Sequence, residues 1–524
     1  MKARGFDGFR KCIQDEFDFA YIIDLDGDVR SNSAQAKGNV FGIMVGVSIT
    51  FLVKTKTSGK KQCKINYHYV NSELAREKID FLVQYTGALK WEGIPFNNIT
   101  PSKKNDWLNT SVNDFEQLLP LIDKKTKKTV FEFSSNGVST NRDEWVYDFD
   151  KVNLEKKVRF FMNEYNNEVE RWSEYKKKNN YKEIKAESNP VVDAFLHSRN
   201  LIKWSKMIKR DKLRKEKKGR FDTKDIQLAN YRPFTKQFLY FGYIPIDLRG
   251  SFDFIFQDAR KNNIVIAVNH TSSKDFNVLA SDKLIDLHFN GDSRCLPLYS
   301  YNEKDECIEN ITDWGLEQFR RHYTDKKIKK ADIFNYVYAV LHNPAYRKKY
   351  ALNLKREFPR IPFYKDFWKW AAWGKALVNL HINYETAKPF PLKVIASETK
   401  AEHKRATKDI FEVHEPMALY AYKPKIKVKL RADKVSGVIE IDELTTMTGI
   451  PKEAWEYKLG NRSGLEWILD QYKEKKPKDP TIAEKFNTYR FAAYKDEVID
   501  LLKRVCTVSV ETVVVIREME KEVY

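Results

Sequence analysis

Proline at position 233 sets the first constraint on the chain. Within Ile226–Tyr240, IQLANYRPFTKQFLY, it fixes its own φ and biases Arg232 towards extended backbone, so the side chain of Arg232 is not presented from a helix. The guanidinium lies between Tyr231 and Phe234 in sequence. Held that way it serves one of two ends. It pairs with a carboxylate while the aromatics enter a core, or it donates two hydrogen bonds to a phosphate or a guanine edge.

Charge bears on that choice. The 93 Lys+Arg against 73 Asp+Glu give a formal net charge of +20, an excess that favours a polyanionic partner. Net +11 of it falls between Arg171 and Arg220, where 17 basic residues face 6 acidic ones. This segment includes KWSKMIKRDKLRKEKKGR, Lys203 to Arg220, and leads into the proline stretch. Leu201, Trp204 and Ile208 are spaced for one helix face ringed by lysines, either a solvated surface helix or a phosphate-tracking one.

Hydrophobic residues at 42% and aromatics at 14% describe a folded protein, and 524 residues allow two or more domains. The five cysteines form no CxxC pair and have no histidine at ligand spacing. Neither a zinc site nor a disulfide framework is expected, and a reducing cytoplasm fits. The longest apolar stretch, Phe41 to Val53, is too short to span a bilayer, and no signal peptide is evident. A soluble, cytoplasmic protein is expected.

Taken in order, residues 7 to 25 predict a helix and then a strand, followed by a polar loop and two strands, Val40 to Met44 and Val47 to Val53. Lys64 to Val70 predicts a strand, residues 72 to 85 an amphipathic helix, and Asn113 to Ile122 a shorter one. Val158, Phe161, Tyr165 and Val169 mark one side of a long helix. Phe252 to Phe256, Asn263 to Val268 and Leu284 to Phe289 read as strands, and a helical half begins at Trp314. There Ile333, Phe334, Val337, Tyr338 and Leu341 recur at helix spacing. Asn343-Pro344 then caps a helix that ends before Pro359, and another runs from Asp366 to His381. Lys425, Lys427 and Lys429 alternate with apolar residues, as on one face of an edge strand. Two helices, about Ile482 to Val505 and Val508 to Val523, close the chain.

No phosphate-binding GxxxxGK[ST], GxSxG elbow or HExxH occurs, and no residue is assigned a catalytic or metal-binding role. Several separated stretches do carry a resemblance: GVSTNRDEWVYDF (Gly137 to Phe149) with Tyr165-Asn166, and NYRPF with Lys236 and Tyr240. Further on come YAVLHNPAYRKKYALNLKREFPRIPF (Tyr338 to Phe363) and AWEYKLGNRSGLEWIL (Ala454 to Leu469). The chain resembles the C-terminal part of Type ISP restriction–modification enzymes, single polypeptides joining nuclease, helicase-like ATPase, N6-adenine methyltransferase and DNA-specificity regions. Its opening residues, FDGFRKCIQDEFDFAYIIDLDGD and NVFGIMVGVSITFLVK, resemble the end of that family's methyltransferase domain. The family's glycine-rich loop for S-adenosylmethionine and its Asn-Pro-Pro-Tyr motif are absent from this sequence, and Asn461-Arg462 stand where the family often has a double glycine.

The resemblance implies an α+β architecture: an incomplete, Rossmann-like methyltransferase edge over residues 1–125, then a specificity domain with a β-rich part at 126–310 and a helix-rich part at 311–524. It implies recognition of an asymmetric site in double-stranded DNA, with no cofactor bound by this chain alone and S-adenosylmethionine belonging to the complete enzyme. An upstream chain would supply the methyltransferase motifs, ATPase and nuclease, so this chain would not be active alone. A stand-alone basic nucleic-acid-binding protein and an inactive remnant of a truncated gene are the other readings. Arg142, Tyr231, Arg232 and Lys236 are the candidate DNA contacts, with Lys209, Arg210, Arg214 and Lys217 on phosphates; Arg142 beside Asp143 is alternatively a buried ion pair.

Overall fold

The computed structural model describes residues 6–28, 37–55, 63–85, 93–102, 105–108, 113–123, 126–180, 190–256, 262–269, 275–396 and 426–522. They form two compact units. One comprises Met1–Gln117 with Thr271–Asp275 and Tyr350–Glu357; the other comprises Leu118–His270, Phe276–Lys349 and Phe358–Tyr524.

In the first unit, helix α1 (Asp7–Glu16) precedes β1 (Phe19–Asp26), β2 (Val47–Val53), β3 (Lys64–Tyr69), helix α2 (Ala75–Gln84) and β4 (Asn97–Ile99). The sheet order is β2-β1-β3-β4, with β1 parallel to β3 and antiparallel to β2. The near-continuous apolar run of β1 suits a strand buried on both faces: Ala20 and Ile22 join one core cluster, Ile23 and Leu25 another. The strand expected at Val40 to Met44 is a turn. Asn39 Oδ1 accepts from the backbone N–H groups of Phe41 and Ile43 at 3.0 and 3.1 Å, taking donors that a ladder would use. The helix expected from Asn113 to Ile122 is a short 3₁₀ turn, Phe115–Gln117, followed by a two-residue strand, Leu119–Pro120. Pro120 has no N–H for a helix to use.

The second unit carries β5 (Ser135–Asn136), β6 (Tyr147–Asp148), the 28-residue helix α3 (Lys151–Lys178), β7 (Ile226–Arg232) and β8 (Thr235–Tyr240). After them come β9 (Val265–Asn269), β10 (Val278–Ser281), β11 (Leu284–Ile285) and β12 (Ser293–Pro297). Two four-stranded sheets result, ordered β10-β9-β12-β5 and β11-β7-β8-β6. Helix α3 starts on Asp150, whose carboxylate accepts from Val152 N–H, and buries Val158, Phe161, Tyr165 and Val169 as their spacing predicts. The proline stretch is the hairpin β7–β8. Arg232 pairs with Thr235, so Pro233-Phe234 is a two-residue turn, and Phe234 takes a left-handed backbone (φ 54°). Burial of its ring edge-on to Tyr384 at 5.3 Å holds that conformation.

The helical half contains α4 (Asp313–Tyr323), α5 (Lys330–His342), α6 (Phe367–Ile382), α7 (Gly464–Gln471) and α8 (Lys495–Glu520). A buried hydrogen-bond chain ties three of these helices to the sheet. Ala280 N–H donates to Tyr338 Oη (2.8 Å), and Tyr338 donates to His381 Nδ1 (2.6 Å). The Thr512 hydroxyl spends its proton on the Val508 carbonyl, so His381 Nε2 donates to Thr512 Oγ1 at 2.9 Å. Burial, with Arg347 nearby, pushes His381 down to about 3 and His342 well below the usual imidazole range. Both rings are therefore neutral when folded but take up protons near pH 6.5 when unfolded. Their stabilisation is complete above that pH and is lost as pH falls towards the folded values. At pH 5 His381, held at about 3, is expected to cost about 2 kcal/mol, and His342 acts in the same direction. Thermal melts between pH 7 and 5 should show a falling Tm, with a shallower fall for His381→Gln.

Other expected elements differ. Leu201, Trp204 and Ile208 share no helix: a 3₁₀ turn spans Ser198–Asn200 and a π-helical turn Ile208–Leu213, with Leu201 exposed and Ile208 buried. Phe252–Ile255 is one helical turn rather than a strand, because only Phe252 and Ile255, three residues apart, are buried. The strand expected from Leu284 stops at Ile285, where Asp286 turns the chain by accepting His288 N–H. The helix after Asn343 breaks into Pro344–Lys349 and Ala351–Leu354. The closing pair of helices is a π-helical turn, Ile482–Phe486, and the single helix α8, which buries Val505, Cys506 and Val508 across the expected gap. Of the three alternating lysines, Lys425 lies outside the described residues, and Lys429 pairs with Glu440 at 2.6 Å. No helix among the described residues is long and apolar enough to cross a membrane.

Candidate nucleic-acid interface

Three distant stretches meet around Asp286: the loop Val138–Trp145, the end of β7, and residues 478–479. Gly137 permits the first approach, since a Cβ there would lie 2.5 Å from the Asp286 carbonyl oxygen. Asp286 accepts from Arg232 Nη1 at 2.7 Å and from His288 N–H at 2.8 Å, and Asp143 lies 3.6 Å from Arg232 Nη2. The guanidinium also donates to the Tyr231 carbonyl at 2.6 Å and covers the Tyr231 ring at 3.9 Å. Tyr231 donates its hydroxyl to Asp143, and Thr140 Oγ1 takes the other Asp143 oxygen. Burial raises the Asp286 carboxyl above the ordinary carboxylate range, while Arg232 opposes the shift. Glu144 accepts the backbone N–H groups of Lys478 and Asp479, both at 2.9 Å, and Trp145 Nε1 donates to Asp479 at 2.7 Å.

Arg142 holds the neighbouring wall. Fully buried, it pairs with Asp247 at 2.8 Å, not with Asp143. It also donates to the Thr140, Pro245 and Lys203 carbonyls and to Ser205 Oγ. Through Lys203 and Ser205 it fixes the backbone where the basic segment begins.

These groups enclose a cavity of about 520 Å³ lined by Asp143, Lys203, Tyr231, Asp286, His288 and Lys478, among others. A second, of about 780 Å³, adjoins it through Lys203 and Asp479 and adds Arg199, Trp204 and Lys209. Arg199, Lys203 and Lys478 are exposed and have no ion-pair partner among the described residues. The result is a concave surface edged with free cations, above a deeper cluster of two carboxylates and one arginine. Such an edge can neutralise phosphates, while the interior offers hydrogen-bond acceptors.

The other candidates are placed as follows. Lys209 lines the second cavity and pairs with Asp193. Arg210 forks onto Asp211, Arg214 is half-buried just beyond the π-helical turn, and Lys217 reaches the Tyr243 hydroxyl at 3.0 Å. Lys236 pairs with Glu385 at 2.6 Å, away from both cavities. Lys212, inside the basic segment, is buried and donates to the Tyr243, Ile244 and Ile246 carbonyls. Asp286 and Lys478 escape sequence reasoning, because neither lies in a motif or a periodic run.

Residues 129–501 match the family model described as the Type ISP C-terminal specificity domain. The chain belongs to that family. The chain is also similar to solved structures, two of them of Type ISP enzymes. One is the cryoEM structure of a DrdV–DNA complex, 40% identical with a TM-score of 0.83 over 100% of this chain and 50% of that one. Another is a nuclease-deletion mutant of the Type ISP restriction–modification enzyme LlaGI with a DNA substrate mimic, 30% identical, TM-score 0.79, over 99% of this chain and 45% of that one. A third is the ATP-dependent Type ISP enzyme LlaBIII bound to DNA, 26% identical, TM-score 0.79, over 98% of this chain and 31% of that one. The chain therefore spans half or less of the length of these relatives. No curated protein matches it in sequence.

S-adenosylmethionine is implied by the family for its methyltransferase region, and the glycine turn after β1 leaves it no cradle. Gly27, after β1, is covered by Asn39, whose Nδ2 would stand 2.8 Å from an added Cβ and donates to the Gly27 carbonyl. Asp24 and Asp26 accept the hydroxyls of Tyr67 and Tyr69. That turn is filled by its own side chains.

Proposed function

We propose that this chain recognises a specific sequence in double-stranded DNA, as the target-recognition part of a Type ISP-like N6-adenine restriction–modification enzyme. The observation that carries the reading is the concave surface of the two adjoining cavities, where Arg199, Lys203 and Lys478 stand exposed and unpaired around an acceptor-rich interior. The cations contact phosphates, and Lys209 joins them when its pair with Asp193 opens. Tyr231 and Arg232 shape the interior, and Arg142 supports it from behind. These three relatives, two of them Type ISP enzymes, are solved with DNA or a DNA substrate mimic, which supports the same partner. The family's cofactor loop and Asn-Pro-Pro-Tyr motif are absent from this sequence, so methyl transfer, with S-adenosylmethionine, and cleavage are assigned to a partner chain. Cytoplasmic location follows from this role.

Binding-site selection from random duplexes at moderate salt tests the proposal. One asymmetric motif should be enriched; recovery of bound DNA with no motif would reduce the chain to a non-specific binder.

A further inference from the structure

We propose that the first cavity reads a base: Asp286 accepts a hydrogen bond from the exocyclic amino group of an adenine or cytosine, and Arg232 holds the carboxylate in place. The inference rests on the DNA reading above and names the group that would confer part of its specificity.

The argument begins with hydrogen-bond accounting. Both Asp143 oxygens are taken, by Thr140 Oγ1 and Tyr231 Oη. Asp286 Oδ1 is taken by Arg232 Nη1 and His288 N–H. Asp286 Oδ2 has no hydrogen-bond partner among the described residues, although the side chain is only 3% exposed and lines the cavity. The oxygen itself is not sealed off: it opens onto the cavity, where it can accept from a ligand's donor. Charge points the same way, since two carboxylates share one guanidinium and leave the interior negative. A phosphate is repelled from such a place and is drawn to Lys203 and Lys478 instead.

DNA chemistry narrows the ligand. Within a strand the deoxyribose carries no free hydroxyl and the phosphates only accept, so every donor is on a base. Carboxylate side chains characteristically accept from amino groups such as cytosine N4, and adenine presents the equivalent N6. The cavity, about 520 Å³, lies within the roughly 300–1,000 Å³ of small-molecule pockets. Reaching its interior requires the base to leave the stack, at a cost of a few kcal/mol. The exposed imidazole of His288, on the same lining, offers a surface for such a base to stack on.

Arg232 is thereby a positioning residue. Its Nη1 is committed to Asp286 and to the Tyr231 carbonyl, and it is not among the residues lining the cavity, so it orients the acceptor and does not itself touch the base.

The test is a cycle between protein and DNA. Each adenine or cytosine of the selected site is replaced singly by the analogue lacking its amino group, purine or 2-pyrimidinone. Affinities are measured for the wild type, Asp286→Asn and Asp286→Ala, after thermal melts confirm folding. At one position the wild type should lose about tenfold and both variants almost nothing. Asp286→Asn, which can keep its oxygen towards Arg232 and turn its amide NH₂ into the cavity, should now prefer thymine or guanine there. If the wild type selects a site but no position couples to residue 286, the base-reading proposal is wrong and the DNA reading stands. If the wild type selects no site, it is the functional reading that fails. Should neither variant fold, the wild type decides: no tenfold loss at any single amino group overturns the proposal.

Discussion

Replacing Arg142 with alanine should unfold much of the second unit. The guanidinium is completely buried, pairs with Asp247 at 2.8 Å and donates to three backbone carbonyls and Ser205 Oγ. Removing it strands the Asp247 carboxylate, only 2% exposed, with Asn141 and Ser205 as its remaining donors. Breaking a buried pair from one side typically costs about 3–5 kcal/mol, a large fraction of a domain's stability. Chemical denaturation of Arg142→Ala should show that loss. Arg142→Met combined with Asp247→Leu should recover part of it, because the uncompensated charge is gone. A direct DNA contact at Arg142 would behave differently, leaving stability near wild type and weakening only binding.

The second large effect is electrostatic. Arg199→Glu, Lys203→Glu and Lys478→Glu together should leave the fold intact, since all three side chains are exposed and unpaired. Duplex affinity, measured by fluorescence anisotropy, should fall by more than about a hundredfold at moderate salt. The slope of log K against log salt should shrink by about 0.9 for each phosphate that is no longer neutralised. An unchanged slope would place the phosphates on another face. Single reversals at Lys236, which pairs with Glu385, should change the slope little.

How far the sequence reveals this site can be argued from individual residues. Helix α3 is legible because its apolar residues repeat at 3.6 and nothing competes with that period. The extended backbone at Arg232 is legible too, since proline's constraint is local. The turn at Pro233-Phe234 is only half legible, because a left-handed phenylalanine is tolerated for its buried ring, a tertiary reason. Asp286 is hidden. It lies 54 positions after Arg232, and no local pattern announces that pairing. The stretch from Leu284 to Phe289 reads as a strand until Asp286 spends its carboxylate on the His288 N–H. Charge density identifies the right neighbourhood between Lys203 and Arg220 but not the right members. Lys209, Arg210 and Lys217 have partners in the fold, and Lys212 is buried on carbonyls. Of the free cations, Lys203 sits at its first position, Arg199 just before it, and Lys478 comes from a different part of the chain.

Amine acylation with and without duplex, read lysine by lysine by mass spectrometry, tests most directly whether the face of the two cavities is where DNA binds. Lys203 and Lys478 should both lose reactivity when a duplex carrying the selected site is bound, and should lose it less with a duplex of unrelated sequence. If both remain fully reactive in the bound protein, DNA lies elsewhere and the interface described for these cavities is wrong.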